Sequence, residues 1–250
     1  MDGTDRAPVA AFFCSEKLVP GAPVTLTEDA AHHMRVARIP VGELIALRDG
    51  AGMTAKGTIV KISRASALVD IVEVGELARP APVHLLAPVA DRERMLWLAE
   101  KATELGISSW RPVAWRRSKS VSPRGEGPMF QGKVRARMIS AILQSGGAWL
   151  PEIFPEASVE RAISAAPAGT RLVLARDGDP IATIGMSEPT TIALGPEGGM
   201  EPSELRAFVD GGFRPVRLAE STLRFETAGI AAIAIAVSQL SLSPTLHGQG

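Results

Sequence analysis

The spacing of apolar and polar positions changes character once along this chain, near residue 80. Before that point the apolar residues fall in short runs, residues 23–26, 44–48, 57–62 and 67–74, rich in Val, Ile, Leu and Thr. Gly21, Gly42 and the cluster Asp49-Gly50-Ala51-Gly52 separate them. Short β-forming runs between turn residues predict the strands of a small β-barrel. One helical stretch, residues 28–36, interrupts them, with Thr27 placed as N-cap and Glu28 and Asp29 in the first turn, where the helix dipole favours acids. Arg79-Pro80-Ala81-Pro82 then forms a stiff connector, because each proline fixes its own φ and restricts the residue before it. The expected division is residues 1–78 and residues 79–250.

Beyond the prolines, apolar runs alternate with helical stretches. Residues 83–87, 171–175, 190–194 and 215–218 read as buried strands. Met95, Leu98, Ala99, Ala102 and Leu105 recur at helical spacing, with Asp91 as the expected N-cap and Gly106 where a left-handed residue ends the helix. A second helix begins at Pro202, which suits a first helical turn, and ends at Gly211-Gly212. A third, residues 226–240, is apolar nearly all round, which predicts either a core helix or one shared with a second subunit. Strand–helix alternation of this kind implies an α/β domain with a mostly parallel sheet.

Composition sets the broad class. Apolar residues make up 46% and charged residues 22% of the 250, so a folded, soluble chain is expected and disordered, collagen-like or coiled-coil chains are excluded. Lys and Arg number 27, as do Asp and Glu, so a charged partner must be met by a local patch. One exists: Arg111, Arg116, Arg117, Lys119, Arg124, Lys133, Arg135 and Arg137 lie in one run against the single acid Glu126. A phosphate-rich ligand and a merely solvated face both account for that run. The lone Cys14 rules out an internal disulfide and reads as a small buried hydrophobe in a reducing, cytoplasmic protein. The amino terminus carries acids where an export signal is basic, and the apolar run 229–237 is shorter than the about 20 residues of a membrane span. His32 and His33 point different ways on a helix and have no further ligands in sequence, so no metal site is expected.

Two segments could carry chemistry. Leu194-Gly195-Pro196-Glu197-Gly198-Gly199 lies between a strand and a helix, at the edge of a sheet where α/β proteins bind ligands, and its glycines permit close backbone approach. Its spacing is neither a dinucleotide fingerprint nor a phosphate-binding P-loop, so a ligand loop and a tight structural turn both stay open. The stretch from Leu218 to Ala228, LAESTLRFETA, also leads from strand to helix, placing Arg224 and Glu226 at the helix start. There Glu226 is either a cap with Arg224 as its partner, or both are reactive.

Taken together, LGPEGG, LRFETA about thirty residues later, RMLWLAEKATELGI from Arg94 to Ile107, and HHMRVARIPVGELIALRDG from His32 to Gly50 resemble the RsmE family of 16S ribosomal RNA methyltransferases. The resemblance implies a PUA-like β-barrel for RNA placement followed by a SPOUT-type α/β domain, whose parallel sheet ends in a carboxy-terminal trefoil knot. It implies S-adenosylmethionine as cofactor, N3 of a uridine in 16S rRNA or the 30S subunit as target, and a homodimer formed through the SPOUT domain. Another SPOUT enzyme acting on other RNA, or a non-catalytic RNA-binding paralogue, is the alternative. Carried over residue by residue, the cofactor contacts fall at Leu174, Leu194, Gly195, Glu197, Gly198, Leu218, Ser221, Thr222, Leu223, Arg224 and Thr227. Arg224 is the expected stabiliser of the uracil anion and Glu226 a base or orienter. Arg35, Arg38, Arg116, Arg117 and Lys119 are the expected RNA contacts. The chain departs from the pattern at Asp91, where lysine is common, at Leu143-Gln144-Ser145-Gly146-Gly147 in place of EQSGR, and at Phe225 in place of threonine. Two of these changes remove polar or basic groups that would face RNA.

Overall fold

The computed structural model describes residues 6–120 and 123–242, and the side chains of all of these except residues 119 and 120. The chain forms two compact units. One comprises the chain up to Arg79 together with Ile139–Leu150; the other comprises Pro80–Met138 and the chain from Pro151 onward. The added piece of the first unit is the end of a helix and the loop after it, a grouping to which the proline connector gives no clue.

In the first unit a five-stranded sheet runs in the order β1 (Ala11–Phe13), β3 (Leu44–Arg48), β4 (Met53–Ile62), β5 (Ala67–Glu76), β2 (Pro23–Leu26). Only β1 and β3 are parallel. Strand β3 alternates strictly, with Ile45 and Leu47 fully buried, so one face is core and the other is not. The pairing of β4 with β5 slips twice, at Lys56/Gly57 and Ile59/Lys61. Bulges increase local twist and curl a sheet, and Gly57 fits the first because a Cβ there would stand 2.5 Å from Val69. The expected barrel is thus a half-barrel, its two edges formed by β1 and β2.

Helix α1 (Glu28–Val36) buries Ala31 and Met34 against that sheet's core. Thr27 stands at the N-cap, as the sequence predicts, but its hydroxyl accepts no bond there. The helix ends in a left-handed residue that is not glycine: Arg38 has φ 55°, with Arg38 N–H donating to Arg35 O and Ile39 N–H to Met34 O. That pairing satisfies two helix-end carbonyls at the cost of Cβ strain. Arg38→Gly is therefore expected to stabilise the unit by about 0.5–1 kcal/mol, read as a higher urea midpoint of unfolding. Near Gly52 (φ +101°) the ring of Trp149 covers the backbone, which leaves no room for a Cβ. Trp149 Nε1 donates to Leu77 O at 2.9 Å, and Gly52 N–H to Ala148 O.

The second unit is a six-stranded, wholly parallel sheet, β11 (Arg214–Arg217), β9 (Thr170–Pro180), β10 (Thr190–Ala193), β6 (Val83–Pro88), β7 (Ser109–Val113), β8 (Glu152–Ile153). Strand β10 is buried at all four positions, as a central parallel strand covered on both faces must be. On one face Leu86, Val113, Val173 and Ala193 pack with Trp115, Phe208 and Phe213 beneath α4 (Val159–Ser164) and α5 (Pro202–Asp210). Helices α2 (Arg92–Glu104) and α6 (Phe225–Leu242) pack on each other, and α6 lies against β6 and β10. Gly229 lets α6 come this close: a Cβ there would stand 2.8 Å from Leu194 and 2.9 Å from Leu98.

Asp91 caps α2 as expected, accepting the N–H groups of Glu93 and Arg94, and Gly106 closes the helix at φ +82°. Gly212 closes α5 in the same way. Helix α6 is long and apolar enough to cross a bilayer by length and composition. In this fold it buries the stripe Phe225, Glu226, Gly229, Ala232, Ile233, Ala236, Leu240, while Ala234 is exposed and Ile230 and Ile235 are half-buried.

Candidate active site

A bulge within β9 and the loops that follow β10 and β11 line one cavity of about 650 Å³. That volume suits a small organic ligand. The β9 wall comes from an irregular register: Pro215 pairs with Val173, but the next residue, Val216, pairs with Asp179. Residues 174–178 bulge out of the ladder, and Leu174, Ala175, Arg176 and Asp177 line the cavity. Gly178 closes the bulge where its α-carbon faces the Val216 backbone, and its carbonyl accepts from Arg217 Nη1 at 2.9 Å.

The β10 loop supplies Leu194, Gly195, Pro196, Glu197, Gly199 and Met200. Gly199, at φ +74°, donates its N–H to Pro196 O in a tight turn. A Cβ on Gly195 would stand 2.9 Å from Met200, so its bareness keeps the loop closely packed. Glu197 Oε1 accepts the Asp91 N–H at 3.2 Å, tying the loop to the start of α2. The β11 loop contributes Leu218, Ala219, Ser221, Thr222, Leu223 and Arg224. Among the described residues, the N–H groups of 219–223 make no backbone hydrogen bond, which leaves them free for a ligand.

The end of the β10 loop is fixed by a buried carboxylate. Glu204, 6% exposed, accepts the Arg116 N–H at 2.8 Å through Oε1 and the Glu201 N–H at 2.8 Å through Oε2. Arg116 also reaches Glu201 at 3.2 Å, and Arg117 donates to Gly198 O at 2.9 Å. The 3₁₀ turn Arg116–Ser120 is thereby strapped to the loop through backbone and side chain alike. Arg35 donates to the carbonyls of Ser63 and Arg64. The side chain of Lys119 lies outside the described residues.

Of the residues singled out in the sequence, Leu174, Leu194, Gly195, Glu197, Leu218, Ser221, Thr222, Leu223 and Arg224 meet at this cavity. Gly198 turns toward Arg117 instead, and Thr227 and Glu226 are not on the wall. Glu226 is buried at 6% exposure; its Oε1 lies 3.9 Å from Arg94 Nε and its Oε2 has no hydrogen-bond partner among the described residues. Arg94, Arg176 and Asp177 also line the cavity, and the sequence reading passed over them. Arg94 opens the RMLWLAEKATELGI motif, and one helical turn from its N-cap is a position worth testing in any such motif.

A parallel sheet with a cofactor-sized cavity beyond its carboxyl ends, walled by glycine-bearing loops, defines an α/β ligand-binding domain of the kind that carries enzyme chemistry. A model of the RNA methyltransferase domain matches residues 78–237, and one of the RNA methyltransferase PUA domain matches residues 26–72. The first covers more than half of the chain, and the chain belongs to this RNA methyltransferase family. It is 28% identical over 218 residues, 82% of each chain, to ribosomal RNA small subunit methyltransferase E of Mycobacterium tuberculosis. The crystal structure of a ribosomal RNA small subunit methyltransferase E from Neisseria gonorrhoeae bound to S-adenosyl methionine superposes with a TM-score of 0.85 at 26% identity, covering 92% of this chain and 98% of that one. A probable rRNA-methyltransferase from Porphyromonas gingivalis gives 0.78 at 26%, over 93% and 99%. The RsmE resemblance carried by the four motifs agrees with these matches.

Proposed function

We propose that this protein methylates N3 of a uridine in small-subunit ribosomal RNA, with S-adenosylmethionine held in the cavity beyond β9, β10 and β11. The observation that carries this reading is the convergence of the LGPEGG and LRFETA loops on that one cavity. The residues present fit the cofactor: the volume suits it, Gly195 and Gly199 keep the loop backbone close, and the unengaged N–H groups of 219–223 can meet its polar edges. Leu174, Leu194, Leu218 and Leu223 supply apolar walls. When bound, the cofactor provides a sulfonium methyl group, which passes to the N3 lone pair as the carbon–sulfur bond breaks with its electrons to sulfur.

The chain's own contribution is placement and charge. Uracil N3 must give up its proton to water before it can act, and the anion spreads onto the flanking carbonyl oxygens. Arg224, exposed at the cavity and always charged, is the stabiliser of that anion. The RNA approaches over Arg116 and Arg117 of the second unit, with Lys119 beside them, and over Arg35 and Arg38 of the first, the PUA-like, unit. The second unit, the SPOUT domain, binds the cofactor. The return of the chain from edge strand β11 to α6 over the central strands β10 and β6 supports the trefoil threading. The protein acts in the cytoplasm, where ribosomal RNA is made.

On α6 the exposed Ala234 and the half-buried Ile230, Ala231, Ile235 and Val237 support a homodimer. Ala234→Arg is expected to yield a monomer in analytical ultracentrifugation where the natural chain sediments as a dimer, and a monomeric natural chain would refute this part. The whole reading is tested by titrating the protein with S-adenosylmethionine in a calorimeter, then incubating it with 30S particles and labelled cofactor and mapping the modified nucleoside by mass spectrometry. Absence of cofactor binding removes the enzyme assignment; a methyl group at another atom removes the choice of uridine N3.

A further inference from the structure

We propose that Arg94 is a second guanidinium acting on the target base and that Glu226, rather than touching the base, is the positioning residue that holds Arg94 in place. This rests on the methyl-transfer reading above. Glu226 is 6% exposed and absent from the cavity wall, so it is badly placed to take a proton from a base in the cavity. Among the described residues it pairs with Arg94, 3.9 Å away, which does line the cavity and keeps 37% of its side chain exposed. At that distance the two form an ion pair without a hydrogen bond, and Glu226 Oε2 is buried with no hydrogen-bond partner among the described residues. A buried carboxylate oxygen without a hydrogen bond is costly, so its place in the fold calls for a reason. The task that fits is to hold a guanidinium from behind while its outer N–H groups face a ligand.

The type of ligand follows from charge. Arg94 and Glu226 together are neutral, so the pair gives little attraction to a permanent anion such as the carboxylate of the cofactor. It still offers preoriented donors to a group that becomes negative only during reaction. A uracil losing its N3 proton is such a group: negative charge appears on both carbonyl oxygens beside N3, and Arg94 and Arg224 are two guanidiniums at one cavity to receive it. Arg94 also stands in the first turn of α2, where the positive end of the helix favours developing negative charge. Its own backbone is fixed there by the Asp91 carboxylate. The remaining charged groups on the wall are Arg176, Asp177, Glu197 and Arg217; Glu197 is held by the Asp91 N–H and Arg217 by the Gly178 carbonyl and Glu220.

The test is single-turnover methylation of 30S particles at saturating cofactor, alongside calorimetric titration with S-adenosylmethionine. Arg94→Ala is expected to slow transfer about a hundredfold while the cofactor Kd stays within about threefold. The deficit shrinks as pH rises, because solvent base then supplies the uracil anion that Arg94 stabilises. Arg94→Lys recovers part of the rate. Glu226→Gln, which keeps the side chain's size, loses about tenfold, and the double variant Arg94→Ala/Glu226→Gln is no slower than Arg94→Ala alone, the sign that Glu226 acts through Arg94. Multiplying losses in the double variant would overturn the positioning role. A weaker cofactor Kd with an unchanged saturated rate would overturn the assignment of Arg94 to the base. Failure of the natural chain to bind cofactor or methylate RNA would instead remove the underlying reading, and this proposal with it.

Discussion

Arg224→Ala is expected to cut the single-turnover methylation rate by about a hundredfold to a thousandfold, with the S-adenosylmethionine Kd changed by no more than a few fold. That loss corresponds to about 3–4 kcal/mol of transition-state stabilisation. Arg224 directly precedes the first residue of α6 and its carbonyl accepts the Ala228 N–H, so its backbone is fixed by the start of the helix while its side chain stands exposed at the cavity. An anchored backbone and a free, permanently charged head give a donor that needs little reorganisation as charge develops. Lysine at this position keeps the charge but not the planar fork, so Arg224→Lys is expected to fall between the natural chain and Arg224→Ala. Comparison of rate and Kd in these two variants checks the assignment. A large rise in Kd with a normal saturated rate would make Arg224 a cofactor ligand only.

The elements that strong local patterns mark were legible in the sequence: β10, β11 and β6 as apolar runs, α2 between Asp91 and Gly106, and α5 between Pro202 and Gly212. Strand β7 was not, because Ser109-Trp110-Arg111-Pro112-Val113 carries an arginine and a proline, although Trp110 is wholly buried. Helix α3 (Gly127–Ser145) escaped for a similar reason, since it begins Gly-Pro and contains Gly132. The two loops of the cavity were legible as motifs, but the β9 wall was not. Residues 174–177 read as the tail of a strand followed by charged residues, and only the register slip opposite Pro215/Val216 brings them to the cavity wall. Glu226 shows the limit most plainly: sequence places it two residues beyond Arg224, but its burial against Arg94 depends on α6 packing on α2, a contact between residues over a hundred positions apart.

The basic run gains meaning in the same way. Sequence alone leaves Arg116 and Arg117 equally suited to RNA or to solvent. In the fold both are fastened to the ligand loop, Arg116 through Glu204 and Glu201 and Arg117 through the Gly198 carbonyl. If RNA meets this segment as proposed, its ties to the β10 loop give the second unit a physical route by which substrate and cofactor can sense one another.

Gly178→Ala is the substitution expected to damage the cofactor site most without removing any side chain from it. A Cβ at this position would stand 2.4 Å from the Val216 nitrogen and 2.5 Å from the Pro215 carbonyl carbon, backbone atoms of β11 that cannot swing aside as a side chain can. Either β11 moves away from β9 or the bulge of residues 174–178 re-forms. In both cases the Gly178 carbonyl loses its bond from Arg217, and Leu174 to Asp177 shift relative to the 218–224 loop on the opposite wall. Overpacking of this kind costs roughly 1–3 kcal/mol, which in a chain of this size lowers the melting temperature by about 3–10 °C. Cofactor affinity is expected to fall more than about tenfold, because the walls must be rebuilt on binding. Gly185→Ala is the matched control, since a Cβ there meets nothing within 4 Å among the described residues. Calorimetric titration and a thermal scan of both variants decide the matter: an unchanged Kd in Gly178→Ala would show that the β9 bulge is not a wall of the cofactor site.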